Sequence, residues 1–119
     1  MERKFKGGFR NLIAWKEAKS LALEIYGITK KFPKEEQFGL VSQLRRAAAS
    51  IMANLAEGSA MGTKVHRDTY YMRARGSAVE VDSFLELSFD LTYLTREAFE
   101  DCSGHVARAI YLITHLMRS

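Results

Sequence analysis

Apolar residues recur at steps of three and four in four successive stretches, which predicts four amphipathic helices. In the first, Ala14, Trp15, Ala18, Leu21, Ala22, Ile25, Ile28, Thr29 and Phe32 share one side, while Lys16, Glu17, Lys19, Glu24, Lys30 and Lys31 share the other. It is expected to start between Phe9 and Asn11 and to end before Pro33, because the residue before a proline avoids the α region. The second is expected over residues 36–57, with Glu35 and Glu36 at its positive end and Gly58 as its stop. Its apolar arc is Leu40, Leu44, Ala47, Ala48, Ile51, Met52 and Leu55. Gly39 within this run costs ~1 kcal/mol relative to Ala, so either a close neighbour or an irregular first turn is expected there.

The third stretch, capped by Thr63 and expected to reach about Leu94, is the longest. Tyr70, Ala74, Ser77, Ala78, Val81, Phe84, Leu85, Ser88 and Phe89 form its main arc. A second apolar line, Val65, Met72 and Val79 followed by Leu87, Leu91 and Leu94, lies elsewhere on its circumference. One helix of a lone bundle needs a single buried stripe, so two stripes predict a second partner, with Gly76 allowing close approach. Thr95 is placed to cap the fourth helix, with Glu97 in its first turn. Its inner side is Ala98, Phe99, Cys102, Val106, Ala109, Ile110, Ile113, Leu116 and Met117. Short links between such helices predict an all-α, antiparallel up-down-up-down four-helix bundle that is oligomeric. Residues 1–8 read as a basic N-terminal arm and 9–119 as a single bundle domain.

One polar pattern breaks the usual Lys and Glu surface. Gln43, Arg46, Ser50, Asn54 and Glu57 stack in one row on the second helix. The row suits either solvent or a hydrogen-bonded seam against another helix or subunit, since polar groups are buried only with partners. Its complement is sought on the third helix at Arg73, Ser77 and Glu80, with Glu80 expected to pair with Arg46 within or between chains.

Composition narrows the class. With 119 residues, 47% hydrophobic and 27% charged, the chain is large enough for a real core, and no segment approaches the ~18 apolar residues of a membrane span. Its start runs from Met1-Glu-Arg-Lys-Phe-Lys6 into Gly7 and Gly8, so no secretory signal is expected. The single Cys102 fits a reducing cytoplasm, and its place in the apolar arc makes it a core residue before a nucleophile. Net charge is +4 at a pI near 9.3. Residues 1–75 hold 15 Lys/Arg against 7 Asp/Glu, and residues 76–119 hold 3 against 7. A basic front and an acidic back suit nucleic acid or association of identical chains.

Chemistry of other kinds finds no footing. His66, His105 and His115 lack ligand-like spacing and an accompanying carboxylate cluster, so no metal and no cofactor are expected. No phosphate-loop or dinucleotide glycine pattern occurs, and the chain is expected not to be an enzyme.

Several short motifs occur in a particular order: Leu12-Ile-Ala-Trp-Lys-Glu-Ala18, Ile25-Tyr26, Phe32-Pro33, Phe38-Gly39-Leu40, Gln43-Leu-Arg-Arg-Ala47, Ser50-Ile51, Asn54-Leu-Ala-Glu-Gly58, and Arg75-Gly-Ser77 with Glu80. Over residues 9–94 the chain resembles the four-helix bundle proteins named for the 23S rRNA intervening sequences that encode some of them. It departs from the pattern at Met52-Ala53, where the family often has Pro-Ser, and at Ala60-Met61, where a basic residue is common. The resemblance implies a non-catalytic homopentamer with nucleic-acid binding. By analogy of fold and charge it also implies a scaffold for another protein such as a polymerase.

The resulting expectation is a bundle that offers cations to RNA or DNA backbone phosphates. The candidate contacts are Arg3, Lys4, Lys6, Arg10, Lys16, Lys19, Lys30, Lys31 and Lys34. The candidate subunit interface or polar seam comprises Gln43, Arg46, Ser50, Asn54, Glu57, Val65, Met72, Gly76, Val79, Glu80 and Leu87. A protein-interaction scaffold without nucleic-acid contact is the alternative.

Overall fold

A computed structural model describes residues 7–118 as four α-helices, with no strand among the described residues. They are α1 (Ile13–Thr29), α2 (Leu40–Ser59), α3 (Lys64–Asp90) and α4 (Arg96–Met117). Short 3-10 turns precede α1 at Gly8–Asn11 and α2 at Lys34–Glu36. The helices touch in sequence, and α1 also meets α4, which closes them around one core. Leu21, Ile25, Leu44, Ile51, Leu55, Val81, Leu85, Val106 and Ile113 fill that core.

The helix ends correct several sequence expectations. The chain is extended at Leu12, so α1 starts at Ile13 and the segment before it is a separate 3-10 turn in which Phe9 packs edge-on against Trp15 at 5.0 Å. Likewise α2 begins after Gly39, not at Glu36. The Glu36 carboxylate accepts from the Leu40 backbone amide at 3.3 Å, and a Cβ on Gly39 would stand 2.7 Å from that oxygen. The irregular first turn thus answers the question raised by Gly39.

Gly58 is not a stop. It lies inside α2, buried, and a Cβ there would come within 2.7 Å of the Tyr71 ring. The glycine lets α3 approach, so Tyr71 rather than the expected Tyr70 enters the core, while Tyr70 lies under the Arg73 guanidinium.

Thr63 and Thr95 cap their helices as expected, accepting from the backbone amides of His66 and Ala98. However, α3 ends at Asp90, not near Leu94. Thr92 adopts φ 66°, its amide donates to Phe89 and that of Tyr93 to Ser88, the paired bonds of a Schellman close. The chain reversal then folds Leu94 into the core.

Candidate nucleic-acid interface

The two sides of α1 divide its charges. Lys16, Lys19, Leu23, Tyr26 and Lys30 follow steps of three and four and are all exposed, forming one outward row. Glu17 and Glu24 were expected on the same polar side, yet they turn toward α4. There Glu17 binds His105 Nδ1 at 2.6 Å and Arg108 Nε at 2.6 Å, and Glu24 lies 3.4 Å from His105 Nε2. The carboxylates of α1 are therefore engaged in a seam with α4, and the lysines of its outer row have no acidic partner among the described residues.

This seam also corrects the expectation that no carboxylates accompany the histidines. The Glu17 hydrogen bond, set against partial burial and aided by the Glu24 and Asp101 charges, holds the His105 imidazole above its ordinary value. Cys102, fully buried, donates to Glu24 at 2.7 Å. Burial first, and then that bond, push its thiol far up, so it stays protonated and inert. The signal was present in the spacing: Glu17 and Glu24 are seven apart, and Cys102 and His105 three apart, each pair on one helix face. No three of the described His, Cys, Asp or Glu side chains are grouped to hold a metal ion.

On and beside the outer row, cations lie against aromatic rings. Arg10 lies 4.4 Å from the centre of the Phe9 ring, Lys19 5.6 Å from Trp15, and Arg45 4.7 Å from Tyr26. Trp15 is half-buried against the core, whereas Tyr26 is exposed in the single chain. At 1.5 Å per residue the row from Lys16 to Lys30 runs about 20 Å. Lys34 continues it across the turn, beside a hollow of about 190 Å³ that Lys30, Lys34 and Arg45 line together. Lys31 stands apart, on a larger, mostly apolar hollow of about 360 Å³ with Gly27, Ile28 and Tyr93. Arg3, Lys4 and Lys6 lie outside the described residues.

Arg45 was not among the expected contacts, although it adjoins the Arg46 that was singled out. What places it is tertiary. Its Nε donates to the buried Thr29 hydroxyl at 2.9 Å and its Nη2 to the Tyr26 carbonyl at 3.3 Å, so the end of α1 orients the guanidinium.

The polar row of α2 divides in its turn. Asn54 donates to the Ser50 carbonyl at 2.9 Å and to the Ser50 hydroxyl at 3.0 Å, and the Ser50 and Ser77 hydroxyls share a bond of 2.9 Å across to α3. Gln43, Arg46 and Glu57 at the row's ends remain exposed. Glu80 is also exposed, and within the chain it makes no ion pair with Arg46. The second stripe of α3 lies bare: Val65, Met72, Val79, Leu87 and Leu91 are between 42% and 76% exposed, and nothing stands within 4 Å of a Cβ built on Gly76.

A family model described as 23S rRNA-intervening sequence protein matches residues 10–115. The fold is similar to the crystal structure of a protein with unknown function from the S23 ribosomal protein family of Bacteroides thetaiotaomicron. The TM-score is 0.80 at 21% identity, over 90% of this chain and 100% of that one. At that identity the likeness speaks for the fold alone. No curated protein matches the chain.

Proposed function

Because the chain belongs to the 23S rRNA-intervening sequence protein family, we propose that it works as a non-enzymatic, homo-oligomeric bundle presenting cations to the backbone phosphates of RNA or DNA. The observation that carries this reading is the sorting of charge on α1. Its acids contact His105 and Arg108 on α4, while Lys16, Lys19 and Lys30 face outward with no acidic partner among the described residues. Unopposed cations in a row displace condensed counterions from a nucleic-acid backbone without reading its sequence.

Within this proposal the helices run up-down-up-down, and copies of the chain associate as a cytoplasmic ring of five through the bare stripe of α3. A contiguous apolar stripe rimmed by polar groups is the usual mark of a protein interface. Exposed Arg46 and Glu80 are then free to pair across the seam between copies. Each added copy multiplies the basic row and lets several weak phosphate contacts act together.

Filter binding of structured RNA and duplex DNA across a salt series tests the reading. Affinity should fall with a log-log slope of roughly −0.7 to −0.9 per phosphate contacted. Binding that is absent, or indifferent to salt, would overturn it. The stripe of α3 also favours a second reading, a scaffold that contacts a protein such as a polymerase with no nucleic acid between them. Capture of a partner that survives nuclease treatment, together with no salt-dependent gel shift, would select that one.

A further inference from the structure

We propose that the hollow beside Lys30, Lys34 and Arg45 is a phosphomonoester pocket that takes the phosphorylated end of a nucleic-acid strand, a deepening that rests on the nucleic-acid reading above. Three separate segments converge there: Lys30 just beyond α1, Lys34 from the turn, and Arg45 from α2. No carboxylate lines the hollow. Of the two acids that follow Lys34, neither lines the hollow: Glu35 is exposed, and Glu36 is engaged elsewhere, with the Leu40 amide and the Tyr93 hydroxyl.

The arginine is held ready. Two of its nitrogens are fixed by the Thr29 hydroxyl and the Tyr26 carbonyl, which leaves the Nη1 hydrogens for a ligand and removes the need to order the side chain on binding. Buried Phe32 and Val41, with Pro33, give the hollow an apolar wall, and a low-dielectric wall focuses the field of the cations above it.

Charge and shape together favour a strand end over a strand middle. A bridging phosphodiester carries one negative charge, and its strand must both enter and leave. A terminal phosphate carries roughly −1.5 to −2 near neutral pH and offers three acceptor oxygens, a closer match to three cations in a hollow of about 190 Å³. The outward row of α1 leads up to this hollow, so the strand would lie along Lys16, Lys19 and Tyr26 with its end at Lys30.

The test measures anisotropy of one internally labelled RNA, about 12 nucleotides long and in about 150 mM salt, with a 5′-phosphate, a 3′-phosphate or hydroxyls at both ends. The full chain should bind a phosphorylated form about tenfold more tightly than the hydroxyl form. The Lys30→Gln/Lys34→Gln variant, altered only at exposed side chains, should lose that preference. A Lys16→Gln/Lys19→Gln variant should weaken all three RNAs in parallel and keep it.

Equal affinity for all ends, with salt-dependent binding intact, overturns the pocket and leaves the nucleic-acid reading standing. A preference that survives Lys30→Gln/Lys34→Gln also overturns it. Inorganic phosphate and a nucleoside monophosphate serve as separate probes by thermal shift. If they stabilise the full chain but not the variant while no RNA binds, the nucleic-acid reading fails and the strand-end source is overturned in favour of a free phosphate ligand.

Discussion

The seam between α2 and α3 and the seam between α1 and α4 solve the same packing problem with different chemistry. Between α2 and α3 the contact is made by absent or small side chains: Gly58 under the Tyr71 ring, Ala47 and Ala48 facing the core, and the Ser50–Ser77 hydroxyl bond with Asn54 behind it. Between α1 and α4 it is made by ionisable groups: Glu17, Glu24, His105, Arg108 and the Cys102 thiol. The first seam depends on shape and on hydroxyl and amide bonds between uncharged groups. The second depends on charge, and by drawing the acids of α1 inward it leaves the outer lysines unopposed. One seam sets how closely the bundle packs; the other sets which surface is basic.

The largest effect should come from Gly58→Ala. The added Cβ meets Tyr71 ring carbons at 2.7 and 2.9 Å, and overpacking of this kind costs about 1–3 kcal/mol, read as a fall in the midpoint of urea unfolding. An unchanged midpoint would show that Tyr71 moves aside freely and that the shape-dependent seam is softer than described. Ser50→Ala comes next. It removes the hydroxyl shared by Asn54 and Ser77, and a net hydrogen bond is worth about 1 kcal/mol, so a smaller destabilisation that does not vary between pH 5.5 and 9 is expected.

His105→Gln sharpens the contrast, because its effect should depend on pH. The imidazole is raised in the folded chain, so its contribution is present in full below the ordinary histidine value near 6.5 and fades as pH rises through the raised one. The ring is more than a third exposed, at 38%, and solvent screening keeps the contribution below about 1 kcal/mol. The melting-temperature gap between parent and variant should be wider at pH 5.5 than at pH 9. A gap of constant width would mean that the α1–α4 seam is not held by that charge.

The smallest effect belongs to the turn that links the seams. Thr92 holds φ 66°, where a β-branched side chain is disfavoured. Thr92→Gly should therefore stabilise by about 0.5–1 kcal/mol in either pH range. Loss of stability would indicate that the threonine side chain does more in the turn than its position requires.

Much of this is legible in the sequence. Four periodic stretches determine the number of helices, and Pro33 with the caps at Thr63 and Thr95 places the end of α1 and the starts of α3 and α4, because those signals are local: a side chain's spacing and its reach to a nearby amide. The spare stripe of α3 was legible for the same reason, since Val65, Met72, Val79 and Leu87 recur on a face that the main arc does not use.

Other features depended on groups far apart in the chain. Gly58 looks like a helix stop until Tyr71 is found against it, and Thr92 gives no local sign that it closes α3. Glu17 and Glu24 look like solvated charges until His105, 88 residues beyond Glu17, comes into place. Arg45 is one more helix arginine until Thr29, 16 residues before it, turns its guanidinium toward Lys30 and Lys34. Sequence alone determined which faces are apolar and how many helices carry them. Tertiary structure decided which charges cancel and which stay open to a partner, because neutralisation requires atoms within a few ångströms and no spacing rule reaches across the core.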